Sequence, residues 1–306
     1  MHMYAEKALQ RGVGETPRII APDRDVVFAE RARRFHELAD GHALSDWLQS
    51  LGRLSEAQHA ALGKLRTVPL PDAATMARAH AHGMPPAPAQ EWQPDGVWRA
   101  ALRTIVAAVA AEAPETSLKS LARLADAAPE RLDALAVRVL RAELGGDDAA
   151  LLPFVAAALQ VVWTALADAL GSAGIRPLDA SGVCPCCGSL PVASVVRGAG
   201  DIANLRYLHC SLCNTEWNMV RVKCAACDGN EGIAYRQIAG TDLSSASAVR
   251  AETCDDCMSY LKIVYREKAP HADPVADDLA TLALDVLVGE AGYARAGPNL
   301  LFVPGG

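Results

Sequence analysis

Eight of the nine cysteines in this 306-residue chain form four Cys-x-x-Cys pairs: Cys184/Cys187, Cys210/Cys213, Cys224/Cys227 and Cys254/Cys257. A Cys-x-x-Cys turn lets two thiolates converge on one ion. Two such turns supply the tetrahedral four-sulfur coordination that suits zinc or a single rubredoxin-type iron. The pairs therefore predict two metal ions, each holding together a module too small to keep a core of its own.

Spacing favours neighbours as partners. The gap from Cys187 to Cys210 holds 22 residues and that from Cys227 to Cys254 holds 26, each enough for a returning hairpin, whereas Cys213 to Cys224 leaves only 10. Site one is then Cys184, Cys187, Cys210 and Cys213, and site two is Cys224, Cys227, Cys254 and Cys257. The rival is interleaved, 184/187 with 224/227 and 210/213 with 254/257, since spacing alone does not exclude crossing. A residue tolerant of positive φ should follow the second cysteine of each knuckle. Gly188, Asn214 and Asp228 meet that demand, while Met258 does not and predicts a less regular last knuckle. Arg206, Arg221, Lys223 and Lys262 are bases that would offset the negative charge of four thiolates around a divalent ion, or else form an ordinary solvated face. Cys186, inside the first knuckle, is the spare and reads as a bystander.

Other uses of the thiols fit less well. A thioredoxin-like centre places one Cys-x-x-Cys at a helix start in a βαβ setting, and structural disulfides belong to oxidising compartments. The opening, residues 1–14, is polar and lacks an apolar signal core, so the chain is expected to be cytoplasmic. The apolar stretch 149–170 is interrupted by Pro153, Gln160, Thr164 and Asp168. It reads as a buried core helix, with no stable membrane insertion.

Composition changes sharply along the chain. Up to about residue 178 it is rich in Ala, Leu, Arg and Glu, with Val27, Phe28, Ala32, Phe35, Leu38 and Ala39 at helical spacing. Ser45 and Ser55 precede a second and a third helix, 84–88 is a proline-rich linker or surface loop, and helices follow at 98–113, 117–127 and 129–144. Beyond residue 174 come β-branched runs and turn glycines, and then a helical pattern over 275–293 that presents Val275, Leu279, Leu282, Ala283, Val286 and Leu287 on one face. The expected fold is an α+β multi-domain protein. An all-α helical domain at 1–178 precedes a first four-cysteine rubredoxin-like or zinc-ribbon module at 179–222 and a second at 223–306 that includes a C-terminal helix.

Catalytic residues are not expected. The chain has no phosphate-binding glycine loop, nucleophile elbow or kinase signature, and four thiolates leave a zinc no open position. His209 beside Cys210 is expected to support or pack rather than ligate. His80 and His82 mark an exposed helix end. Glu216 and Asp201 have no acid–base partner at a defined spacing, and Trp217 should pack over its module's core.

The wording around the cysteines is specific. Cys-Pro-Cys-Cys-Gly-Ser-Leu-Pro from Cys184, Arg-Tyr-Leu-His-Cys-Ser-Leu-Cys-Asn-Thr-Glu-Trp from Arg206, Arg-Val-Lys-Cys-Ala-Ala-Cys from Arg221 and Val-Ala-Asp-Asp-Leu-Ala from Val275 resemble the formate dehydrogenase accessory family, FdhE. The resemblance is best from Cys184 to Phe302 and continues more weakly through the helical half, including Glu30 to Trp47, so it spans most of the chain. It implies a cytoplasmic, non-enzymatic assembly factor for molybdenum- or tungsten-dependent respiratory formate dehydrogenases. Its partner would be the formate dehydrogenase catalytic subunit before export, and iron would be the favoured metal at two rubredoxin-like sites, with zinc the alternative. Cys186 and Asn218 depart from the usual pattern, the second standing where a histidine is common.

Two other classes compete. Paired ribbons also suit a zinc-ribbon nucleic-acid-binding protein, but residues 1–179 and 180–306 carry net charges of -3 and -4, so no nucleic acid is expected. A thiol-disulfide oxidoreductase would use the same cysteines without metal.

Overall fold

The computed structural model describes residues 16–113, 115–199, 202–238 and 248–303, so residues 1–14 and Asp201 lie outside the described part. The helical half contains α1 (Val27–Ala39), α2 (Ser45–Lys64), α3 (Ala73–Ala81), α4 (Gly96–Ala110), α5 (Glu115–Ala125), α6 (Pro129–Leu140) and α7 (Leu152–Gly174). α7 forms its spine. Residues Val155 to Ala165 on it are all buried, and α2, α4 and α6 pack around it. Pro153 lies in the first turn of α7, where proline removes no helical hydrogen bond.

Serine 55 does not open a helix of its own. It is buried within α2, and its Oγ donates to the Leu51 carbonyl at 3.0 Å, a local bond that satisfies the hydroxyl without breaking the helix.

The cysteine half builds a sheet from β2 (Pro191–Ala199), β3 (Ile202–Cys210), β4 (Glu216–Met219), β5 (Ile233–Arg236), β6 (Val249–Cys254), β7 (Ser259–Tyr265) and β8 (Ala294–Arg295). The first half is not purely helical, because β1 (Ile19–Ile20) pairs antiparallel with β4, Ile19 opposite Trp217. The order is β1-β4-β3-β2-β7-β6-β5, with β8 also on β7. Each four-cysteine unit reads knuckle, hairpin, knuckle, strand. The units join where β2 runs parallel to β7, Ser194 opposite Ile263. One hydrophobic core runs from Phe28, Leu48 and Trp98 through α7 to Cys184, Cys187, Leu208 and Leu212.

The last helical stretch is broken in two, α8 (Ala276–Leu279) and α9 (Leu282–Glu290). Lys262 Nζ donates to the Asp278 and Thr281 carbonyls at 2.7 and 3.0 Å and occupies acceptors at the junction. The break resets the helical phase. Leu284 and Val288 turn inward, whereas Val286 and Leu287, expected on the buried face, are exposed.

Candidate metal centres

The four knuckles repeat one backbone plan. In three of them the first cysteine's N–H donates to the carbonyl five residues on: Cys184 to Ser189 at 2.9 Å, Cys210 to Thr215 at 3.0 Å and Cys224 to Gly229 at 2.7 Å. In the fourth, Cys254 pairs with Ser259, again five residues on, across β6 and β7. The residue after each second cysteine is left-handed, with φ of +77° at Gly188, +59° at Asn214, +65° at Asp228 and +51° at Met258. The last knuckle is therefore as regular as the others. Its turn imposes the positive φ on a residue with a Cβ and leaves the strain in place.

Amides aim at sulfur in these turns. Leu212 N and Cys213 N donate to Cys210 Sγ, both at 3.3 Å, and Ala226 N donates to Cys224 Sγ at 3.4 Å.

The knuckles meet as two sequential quartets, Cys184, Cys187, Cys210 and Cys213, and Cys224, Cys227, Cys254 and Cys257, with the sulfurs of each within 4.8 Å of one another. The Cys184–Cys213 and Cys187–Cys210 sulfurs are both 3.5 Å apart, Cys224–Cys257 is 3.7 Å and Cys227–Cys254 is 3.8 Å. A tetrahedron with metal–sulfur bonds of about 2.3 Å has edges of about 3.8 Å, whereas a disulfide needs about 2.05 Å. All the cysteines are free thiols, and the separations fit a four-thiolate ion of the zinc or iron type. Burial pushes the Cys184 thiol well up, and the sulfurs around it add to the effect. A buried thiolate quartet therefore needs a cation to form. In the second quartet burial alone would raise Cys257, but the Ser259 hydroxyl and the neighbouring sulfurs bring it down to about 7.

The first quartet is clamped from the helical half. Ala87 N and Ala89 N donate to the Cys186 and Cys187 carbonyls at 3.1 and 2.9 Å, so the proline-rich segment 84–88 is a strap over the first knuckle. From α7, Gln160 Nε2 donates to the Ser211 carbonyl at 2.8 Å, and Thr164 Oγ1 accepts from Asn214 Nδ2 at 2.8 Å. Two of the polar residues that interrupt the apolar stretch are thus its contacts with the second knuckle. From α1, fully buried Arg31 donates through Nη2 to Asn214 Oδ1 at 2.8 Å and through Nε to Asp273 Oδ1 at 3.0 Å. Next to it, Arg34 holds Asp277 with two bonds of 2.9 and 2.6 Å. Sequence reasoning missed these residues. The available signal was a pair of arginines on the apolar face of α1, at the helical spacing of Phe28 and Phe35.

The remaining candidates sit beside the sulfurs without joining them. His209 is buried between Asn214 Oδ1 and Glu216 Oε1 at 3.1 and 3.3 Å, and burial together with the charge of Arg31 lowers it to about 4. Glu216 also pairs with Arg197. Trp217 is buried and donates to the Ser181 carbonyl at 2.8 Å. His80, on α3, contacts the Gly174 carbonyl at 3.2 Å, and His82 is exposed. The bases near the quartets have carboxylate or carbonyl partners instead of sulfur. Arg206 pairs with Glu252 at 2.6 Å, Lys262 with Asp278 at 3.3 Å and also with Asp285, Lys223 with Asp228 at 2.5 Å, and Arg221 donates to the Asn204 carbonyl at 3.3 Å. Arg206 and Lys262 are fully buried, so neither belongs to a solvated face.

Three family models match the chain in succession: FdhE, N-terminal, over residues 16–179; FdhE, central domain, over 183–221; and FdhE, C-terminal domain, over 222–302. The chain belongs to the FdhE family. Among its FdhE relatives, a protein named Protein FdhE homolog from Pseudomonas aeruginosa is 38% identical over 291 residues, covering 95% of this chain and 94% of the relative. One of the same name from Edwardsiella ictaluri is 40% identical over 302 residues, covering 98% and 96%. The crystal structure of the FdhE protein from Pseudomonas aeruginosa superposes with a TM-score of 0.85 at 37% identity, covering 95% of this chain and all of that one. Among the described residues one helical segment, Ala149–Gly174, is long and apolar enough to cross a membrane, and 78% of its most apolar window is buried inside the protein.

Proposed function

We propose that this FdhE-family chain is a cytoplasmic, non-enzymatic assembly factor that binds the catalytic subunit of a respiratory formate dehydrogenase and supports its maturation before export. Each quartet holds one metal ion. Cys184, Cys187, Cys210 and Cys213 ligate the first and Cys224, Cys227, Cys254 and Cys257 the second, with iron favoured over zinc by the family resemblance. The helical part, 1–178, and the ribbons at 179–222 and 223–306 act together as a docking body whose shape the metals maintain.

The observation that carries this reading is the pair of sulfur quartets at near-tetrahedral spacing in an FdhE-family chain. Four thiolates complete the coordination of each ion and leave no position for a substrate, which suits a scaffold better than a reaction centre. The ions would contribute Lewis acidity only to their own sulfurs.

Elemental analysis and a visible spectrum of anaerobically purified protein test the metal assignment, because ferric thiolate is coloured and zinc thiolate is not. Two ions per chain are expected. A pull-down under reducing, anaerobic conditions tests the partner, and failure to retain a formate dehydrogenase catalytic subunit would overturn the assembly role.

A further inference from the structure

The two quartets differ in what separates their sulfurs from solvent. In the first, Cys184, Cys210 and Cys213 are 0% exposed and Cys187 is 1% exposed, beneath the 84–88 strap, α1 and α7. In the second, Cys224 and Cys254 are buried, Cys257 is half-buried and Cys227 is exposed. Residues 226–228 and 230–232, with Asp255 and Asp256 opposite, are exposed as well.

Glycine 229 keeps the approach to that sulfur clear. A Cβ at this position would stand 3.3 Å from Cys227 Sγ and 3.4 Å from Asp256 Oδ2. Each of these sulfurs has a partner, the Gly229 amide at Cys227 Sγ, Ala226 N donating to Cys224 Sγ and Ser259 Oγ lying 2.8 Å from Cys257 Sγ, so exposure is what sets Cys227 apart.

Metal leaves a four-thiolate site by ligand exchange. An incoming thiolate must reach the ion along one sulfur edge, and the displaced sulfur must have space to move away. Of the eight sulfurs, the exposed Cys227 of the second quartet meets these demands best.

We propose that the second quartet is the exchange site of this protein, at which a soluble thiolate ligand adds to the metal and displaces the Cys227 sulfur, while the first quartet keeps its ion as long as the fold persists. A bond from the incoming sulfur to the metal forms as the bond from Cys227 breaks. Cys227 leaves as thiolate and takes a proton from water, and no electrons change hands. The inference deepens the proposed function and rests on its reading of the quartets as metal sites.

Full-length protein loaded with zinc and challenged with glutathione plus a chromogenic chelator tests it. Two zinc ions per chain are expected at the outset, one leaving at least about tenfold faster than the other, as burial of competing thiolates predicts. N-ethylmaleimide trapping with peptide mapping should place the first label on Cys227. Gly229→Ala, which puts a methyl group beside the sulfur, should slow the fast phase and spare the slow one. Release of both ions in one phase, first labelling at Cys184, Cys187, Cys210 or Cys213, or a Gly229→Ala fast phase that does not slow would overturn the proposal. Fewer than two zinc ions at the start would instead overturn the reading of the quartets on which it stands.

Discussion

Arg31 and Asn214, 183 positions apart in the chain, share a buried hydrogen bond of 2.8 Å. Asn214 is the left-handed residue that closes the Cys210–Cys213 knuckle, and its amide Nδ2 reaches Thr164 on α7. One side chain thus ties α1 and α7 to the turn that presents two sulfurs. The helical half and the first sulfur quartet are thereby joined through buried hydrogen bonds.

Arg31→Ala is expected to cost about 3–5 kcal/mol, because it leaves the buried Asp273 carboxylate without its guanidinium partner. Denaturant unfolding measures the loss. Metal analysis of the same variant should show weakened retention at the first quartet and an unchanged second one.

Ligand replacements should separate the two centres. Cys213→Ser removes one ion and lowers the thermal midpoint of the helical signal in circular dichroism, since α1 and α7 pack on that knuckle. Cys227→Ser also removes one ion but should leave the helical midpoint nearly in place. Equal effects of the two substitutions on the helical signal would contradict the coupling described above.

Met258 holds φ at +51° with 44% of its surface exposed, so its side chain contributes less packing than its backbone costs. Met258→Gly should therefore raise stability by about 1 kcal/mol, read as a higher denaturant midpoint. A lowered midpoint would mean that the side chain has a packing role greater than its exposure indicates.

Gly182 lies directly against the second centre, and a Cβ there would come 2.2 Å from the Ala225 carbonyl oxygen. Gly182→Ala must push the start of the first ribbon away from the Cys224–Cys227 knuckle. The expected cost is about 1–3 kcal/mol, accompanied by faster loss of the second ion to a chelator.

Acid should weaken the helical half through Asp148. Burial pulls its carboxyl up, but Arg131, Arg123 and Arg138, at 2.5, 2.9 and 3.1 Å, outweigh burial and hold it below the usual carboxylate range. A depressed folded pKa contributes stability above the unfolded value of about 3.9 and loses it as the pH falls through the folded value. Wild type should thus exceed Asp148→Asn in stability at neutral pH, and the gap should close below about pH 4. A gap independent of pH would show that the aspartate acts by shape alone.

Much of the metal chemistry was legible from the chain. Cys-x-x-Cys is a local motif, and the knuckle needs only a few consecutive residues to aim its amides at sulfur, so the ligand types could be read without knowing the fold. Gap lengths that permit a hairpin favoured sequential grouping but left the interleaved one open, and the folded positions of the sulfurs decide it. The expectation for Met258 differed because residue preference was weighed without the ladder between β6 and β7 that forces the turn. The inward face of 275–293 differed because the helix breaks at Ala280 and Thr281, where Lys262 from another element takes the Asp278 and Thr281 carbonyls.

By itself the sequence determined two four-sulfur modules, a helical first half and a core helix interrupted by polar residues, since each depends on contacts over a few positions or on simple periodicity. Only the tertiary structure decided that Gln160, Thr164 and Arg31 support a metal knuckle, that one core spans both halves, and that one quartet is roofed while the other meets solvent. Burial and long-range hydrogen bonding depend on which distant segments share space, and local composition does not carry that information.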